Sequence, residues 1–262
     1  MLLEGKKIAK KIQNQLKAKV RKNNLRPGLA IILIGENPNS KTYVGLKEKA
    51  SQKLNFYFKK IFFPINCQES KILSTIEKLN QEPALHGLMI QMPVPSHLNP
   101  NSLVNAIDLR KDVDGFLQKS KFTPPTHQAI LTLIKKSKKK LKNKKAIILS
   151  KNSIFALPLK RILEAESIRA IHKKTIPKNI SSFDLIISAQ GEPNLIQPPM
   201  LKKKAIVIDV GYSKIKGKPC GDVDPICQKR KDLFISPVPG GVGPLTVAYL
   251  LKNVYLSALN QK

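Results

Sequence analysis

Short apolar runs of strand length alternate with helical patterns along most of this 262-residue chain, and that rhythm leaves few architectures open. Leu29-Ile34 is followed by a helical pattern near Asn39 to Leu54, then Phe56-Phe63, a helix near Lys71 to Leu79, and Leu85-Ile90. Strands separated by helices must be joined by crossovers, so they lie parallel and are covered on both faces. A second series follows: Ala146-Leu149, a helix near Phe155 to Ala165, Ile168-Ile171, Leu185-Ser188 and Ala205-Val210. The fold class expected is α/β with two α/β domains, each built on a parallel sheet. The last helical pattern, about Leu245 to Leu259, comes too late for a sheet ending near Val210 and is expected to return to the first domain. An apolar content of 42% is ample for packed cores.

The formal charge of +30 raises nucleic acid as a partner. Lysine dominates it: six arginines stand against 41 lysines, whereas readers of bases and phosphates favour the planar arginine fork. Aromatic residues are sparse and not interleaved with the charge, so a specific nucleic-acid partner is not expected. Eight lysines between Lys135 and Lys145 read as a solvated linker. Charges at Glu4, Lys6, Lys7, Lys10 and Lys11 interrupt any secretory signal, and no apolar run approaches the roughly 18 residues of a membrane span, so no membrane partner is expected. Cys67, Cys220 and Cys227 have neither zinc-site nor redox-pair spacing. Free thiols, no metal and a cytoplasmic location follow as expectations.

Four segments have the residue types that chemistry needs. On the first long helix, residues placed at 100° intervals set Ala50 and Leu54 within about 20° of Tyr43, with Lys47 about 40° away on the same inward face. Lys47 is either a snorkelling side chain with a buried stem or a desolvated amine able to exchange protons near neutrality. The strand Leu85-Ile90 runs into Gln91-Met92-Pro93-Val94-Pro95, which puts Gln91 at a strand carboxyl end, where open parallel sheets hold their ligands. It can donate and accept there, or simply satisfy loop backbone. Lys111-Asp112-Val113-Asp114-Gly115-Phe116 sets two carboxylates two apart, on one side of the chain if extended. That pattern suits a donor-rich heterocycle, although Asp-Gly also serves as a plain turn. Finally, Pro237-Val238-Pro239-Gly240-Gly241-Val242-Gly243-Pro244 packs three glycines and three prolines into eight residues ahead of the last helix. Such a loop permits close ligand approach at low ordering cost, or serves as a rigid connector.

Taken together and in this order, Tyr43-x-x-x-Lys47, Gly87 to Pro95, Lys111 to Phe116, Val207-Ile208-Asp209-Val210-Gly211, Gly221-Asp222-Val223 and Pro237 to Pro244 resemble the bifunctional methylenetetrahydrofolate dehydrogenase/methenyltetrahydrofolate cyclohydrolase family. The resemblance covers nearly the whole chain. It implies a folate-binding catalytic domain over residues 1–122 plus 240–262 and an NADP-binding domain over 123–239, the latter a Rossmann-like parallel sheet. It also implies NADP-dependent oxidation of 5,10-methylenetetrahydrofolate, then hydrolysis of the methenyl cation to 10-formyltetrahydrofolate. Lys47 matches the catalytic lysine, Tyr43 the tyrosine lining the folate ring, Gln91 the glutamine that contacts the lysine, and Asp114 the carboxylate that holds the pterin. Ser40, Pro239, Gly240 and Gly241 complete the implied substrate site.

For the cofactor the resemblance points to Ser150, Lys151, Asn152, His172, Lys173, Gly191 and Tyr212. Here the chain departs from the family: Ser150-Lys151-Asn152 stands where Gly-Arg-Ser is usual, and Ala156 replaces a second glycine before Pro158. Ser150 lacks glycine's access to positive φ, while Ala156 keeps helix and strand close. Lys151 retains a charge for a ribose 2′-phosphate, as a point and not a fork. The strand ending in His172-Lys173-Lys174 has no Asp or Glu for the ribose 2′-hydroxyl of NAD, which favours NADP. In Phe122-Thr123-Pro124-Pro125-Thr126 a proline stands where relatives commonly carry cysteine, His127 replaces a second proline, and the connection from Phe116 to Phe122 is short. An enzyme retaining only the cyclohydrolase step is the alternative, and a basic nucleic-acid-binding protein the alternative of another class. The resemblance further implies a homodimer through the nucleotide domain, and the lysines suit the polyglutamate tail of cellular folates.

Overall fold

The computed structural model describes residues 1–261, which divide into two compact units. One comprises Ala9–Pro125 and the chain from Thr246 onward. Its elements, including those at its borders, are α1 (Lys6–Lys22), β1 (Gly28–Ile34), α2 (Pro38–Lys53), β2 (Tyr57–Phe63), α3 (Glu69–Gln81), β3 (Gly87–Ile90), α4 (Pro100–Asn105) and the final helix α7 (Val242–Asn260). The sheet is parallel, in the order β2-β1-β3, with β1 buried at every residue. Because side chains alternate across a strand, Leu29, Ile31 and Leu33 face one layer and Ala30, Ile32 and Ile34 the other. The first layer includes Leu16 and Val20 of α1, Val44 of α2, and Val247, Leu251 and Val254 of α7. The second includes Ile72, Ile76 and Leu79 of α3 and Leu103 of α4.

The strand rhythm alone does not predict α1, but Ile8, Ile12, Leu16 and Val20 recur at helical spacing among its lysines, and Ala9, Leu16 and Val20 are buried. α7 corrects one expectation: at 19 residues it is long and apolar enough, by length and composition, to cross a membrane. Its apolar character has another use, since Leu245, Leu250, Leu251 and Val254 are no more than 1% exposed within the protein.

The other unit comprises Met1–Ile8 and Thr126–Leu245. It carries α5 (Pro125–Lys136), β4 (Lys145–Ser150), α6 (Ser153–Ala165), β5 (Arg169–Lys173), β6 (Leu185–Ala189), β7 (Ile206–Asp209), the hairpin β8 (Ser213–Ile215) and β9 (Lys218–Cys220), and β10 (Phe234–Ile235). The five-stranded sheet is parallel, in the order β10-β7-β6-β4-β5. Ala156 is fully buried, as close approach of α6 to the sheet requires. The first eight residues, which an unbroken 1–122 domain would place elsewhere, belong to this unit. Leu3 N–H donates to Ile235 O at 2.8 Å and Leu2 bridges Ile235, continuing the sheet past β10. The lysine cluster is only partly a linker, since Lys135 and Lys136 form the last turn of α5, where cations suit the helix dipole.

Candidate active site

Helix α2 begins where the Asn37 side chain accepts from the N–H groups of Asn39 and Ser40, with Pro38 following as first helical residue. That start sets the helix phase so that Ser40, Val44, Lys47 and Ser51 form its buried stripe. Lys47 therefore lies on the buried face itself, closer to its centre than the angle from Tyr43 suggests. Tyr43 is half-buried one turn earlier. The Ser40 hydroxyl is buried with no hydrogen-bond partner among the described residues, leaving a donor and acceptor for a ligand.

Lys47 is 5% exposed, and its Nζ donates to Gln91 Oε1 at 2.9 Å. Gln91 follows directly on β3, and its Nε2 donates to Met92 O at 2.8 Å, so the amide is held with its oxygen toward the lysine. The Met89 sulfur, 3.5 Å from Nζ, is a neighbour that residue patterns do not disclose. Burial lowers the Lys47 pKa from 10.5 to about 8, against the opposing pull of the Asp114 carboxylate. Asp114 is itself raised to about 6, first by desolvation, with the Lys47 ammonium opposing and Asp112 reinforcing the rise. A buried amine and a buried carboxyl thus both titrate near neutrality within electrostatic reach of each other.

The two aspartates of the 111–116 segment do different work, contrary to a shared heterocycle contact. The Asp112 carboxylate is 1% exposed and accepts from the N–H groups of Gly115, Phe116 and Leu117 at 3.0 to 3.3 Å. It shapes the turn from within and leaves Asp114 as the carboxylate coupled to Lys47. Lys111 anchors the same segment by donating to Leu79 O and Glu82 O at the end of α3.

Pro239, Gly240 and Gly241 belong to the five-stranded unit, and their backbone groups are partly committed there. Gly240 O accepts from Gly5 and Lys6, and Gly241 N–H donates to Pro237 O. The Gly241 amide is thus spent inside the turn and not on a bound group. Gly240 has φ +111°, a conformation that favours glycine, and open space where a side chain would stand.

In this unit β4, β5 and β6 end side by side, with Leu149 in register with Lys173 and Ser150 with Ala189. The loops carrying Lys151, Lys173 and Gly191 therefore leave one sheet edge. Asn152 caps α6, accepting from Ile154 and Phe155 N–H, and His172 Nε2 donates to Ser150 O at 2.8 Å. Tyr212 is half-buried beyond β7. The edge fits a dinucleotide: Lys151 and Lys173 supply positive charge, Gly191 has open space above its Cα, and Gln190 Oε1 and Asn194 Oδ1 are buried acceptors without partners among the described residues. Gln190, Glu192 and Asn194 escaped the sequence reading because no motif marks them. Their signal is that the loop follows a buried strand.

The chain matches the catalytic-domain model of the tetrahydrofolate dehydrogenase/cyclohydrolase family over residues 3–114, and the NAD(P)-binding-domain model of that family over residues 124–262. It belongs to that family. Among curated relatives of this tetrahydrofolate dehydrogenase/cyclohydrolase, it is 36% identical over 276 residues to the bifunctional protein FolD of Nautilia profundicola, covering 99% of this chain and 97% of the relative. It is 35% identical over 274 residues to that of Bacillus subtilis, with 98% and 97% covered. Among solved structures, the bifunctional enzyme FolD from Campylobacter jejuni is similar with a TM-score of 0.89 at 34% identity, over 100% of this chain and 99% of that one. The Trypanosoma brucei enzyme, complexed with NADP cofactor and an inhibitor, is similar with a TM-score of 0.89 at 30% identity, over 99% and 97%.

Proposed function

We propose that this member of the family oxidises 5,10-methylenetetrahydrofolate with NADP and hydrolyses the methenyl product to 10-formyltetrahydrofolate. The observation that carries the reading is the buried Lys47 amine, held by Gln91 and coupled to Asp114. With a pKa of about 8, roughly a tenth of the amines are neutral at pH 7. A methenyl cation beside Lys47 enlarges that fraction by like-charge repulsion. The neutral amine then takes a proton from water as its oxygen bonds to the one-carbon centre and the C=N electron pair moves onto nitrogen. Breaking the bond from that carbon to N5, with a proton delivered to N5, leaves the formyl group on N10. Overall one water is consumed and one proton released.

In this reading Gln91 keeps the amine pointed by accepting one of its hydrogens, Asp114 accepts from the donor edge of the pterin, and Tyr43 lines the ring. Ser40 adds its buried hydroxyl to these substrate contacts, and in the other unit Pro239 and Gly240 form a loop held by the Gly241 turn. NADP, when bound, supplies the hydride acceptor. Lys151 and Lys173 would meet its phosphates, Gly191 would let it approach the backbone, and Ser150, Asn152, His172 and Tyr212 would shape the surrounding edge.

The test is incubation of the purified protein with 5,10-methylenetetrahydrofolate and NADP, following NADPH and methenyl absorbance. Formation of both, together with hydrolysis of added methenyltetrahydrofolate above the buffer rate, is expected. Hydrolysis without oxidation would reduce the protein to a cyclohydrolase. The same reading extends to a cytoplasmic homodimer joined through the nucleotide-binding unit, where β5 is an edge strand, and to polyglutamylated folates. Sedimentation at micromolar concentration checks the dimer. A lower Michaelis constant for polyglutamylated than for monoglutamylated substrate at low salt checks the tail.

A further inference from the structure

The loops at the carboxyl ends of β4, β5 and β6 carry Lys151, Lys173 and Lys174, and against these cations they bring one carboxylate, Glu192. Glu192 is ion-paired with Lys151 across the edge, from the loop after β6 to the loop after the neighbouring β4. The side chains are partly exposed, 47% for the glutamate and 67% for the lysine, and such pairs are usually incidental. This one has a built anchor. Glu192 N–H donates to Asp222 Oδ1 at 2.9 Å, and Asp222, fully buried, also accepts from Gln190 N–H at 2.7 Å and from the Ser188 hydroxyl at 2.6 Å. Gly191 sits between those two held amides at φ +71°, and Pro193 follows. The backbone under the carboxylate is thus fixed before any ligand arrives, so only the side chain's own rotamers remain to be ordered.

Resting on the nucleotide-binding reading above, we propose that Glu192 is a specificity-determining residue: by occupying Lys151 it weakens the hold on a ribose 2′-phosphate, so the protein accepts NAD alongside NADP. A dianionic phosphate beside Lys151 must displace the carboxylate or share the lysine with it, and the two anions repel. A ribose 2′-hydroxyl meets no such conflict, because a carboxylate accepts its hydrogen. The absence of Asp or Glu after β5 is therefore offset by an acid arriving from β6.

Calorimetric titration of NADP and NAD into wild type, E192Q, K151Q and the double variant tests this. E192Q is expected to bind NADP about three- to tenfold more tightly, the scale of a surface ion pair plus one removed repulsion. NAD affinity should stay the same or fall slightly. The NADP gain should vanish when Lys151 is also glutamine, because the gain requires a freed lysine. An unchanged NADP-to-NAD ratio in E192Q, with both nucleotides binding, overturns the role of Glu192 and leaves the enzyme assignment intact. Failure of wild type and E192Q to bind either nucleotide overturns both.

Discussion

Replacing Lys47 with methionine should make the protein more stable while abolishing hydrolysis. A lysine whose pKa falls from 10.5 to about 8 on folding destabilises the folded state by about 3 kcal/mol at pH 7, since each pKa unit corresponds to about 1.4 kcal/mol. Methionine fills similar space without charge. Against that gain, Gln91 Oε1 loses its partner, which costs about 1–2 kcal/mol. Asp114, deprived of the ammonium that opposes its desolvation, shifts further upward and takes up a proton closer to neutrality. The net expectation at pH 7 is a gain of about 1–2 kcal/mol, or a Tm higher by about 2–4 °C for a chain of this size. The sign of the pH dependence is the sharper check. Between pH 8 and 10.5 the unfolded chain holds the lysine proton and the folded chain has lost it, so this group's contribution to stability rises with pH in that window. The advantage of K47M over wild type should therefore shrink by about 2 kcal/mol from pH 7 to pH 10. Urea unfolding of both proteins at pH 7, 8.5 and 10 reads this directly, and a methenyltetrahydrofolate hydrolysis assay runs beside it. A stability gap that does not change with pH, or K47M turnover within tenfold of wild type, would refute the reasoning.

Two further predictions follow from the same chemistry. Gln91→Glu puts a carboxylate where an amide oxygen now stands 2.9 Å from Nζ. The rising limb of kcat/KM for hydrolysis should move up from near pH 8 by at least about one unit, with about tenfold less activity at pH 7; a limb still at 8 would show that Lys47 is not the titrating base. His127, fully buried, donates from Nε2 to Phe155 O and is lowered to about 4 by desolvation. Its folded pKa lies below the unfolded 6.5, so the stability it secures is complete above pH 6.5 and falls away toward pH 4. His127→Phe should remove about 2–3 kcal/mol of acid sensitivity between pH 7 and 4.5, and parallel unfolding profiles for the two proteins would contradict that assignment.

The reach of sequence reasoning varies with how local the cause is. β1, β4 and β6 are legible because strands buried on both faces must be apolar throughout, and α2 and α6 because their apolar residues recur at helical spacing. Helix α1 is written in the four-residue spacing of Ile8, Ile12, Leu16 and Val20 among its lysines, whereas the hairpin β8–β9 is too short and exposed to leave a period. Within the site, Lys47, Gln91 and Asp114 were readable as residue types near strand and helix ends. The separate task of Asp112 was not, since a carboxylate in an extended segment and one folded back onto three amides have the same sequence.

The order of residues alone determined that this chain builds two parallel α/β sheets and holds a lysine, a glutamine and an aspartate able to serve one-carbon chemistry. That information is local, set by apolar period and strand ends. Tertiary structure decided the amine's protonation, the turn that isolates Asp114 from Asp112, the partnership of Lys151 with Glu192, and the docking of the first eight residues beside β10. Each depends on desolvation or on hydrogen bonds between segments far apart in the chain, and neither exists until the chain has folded.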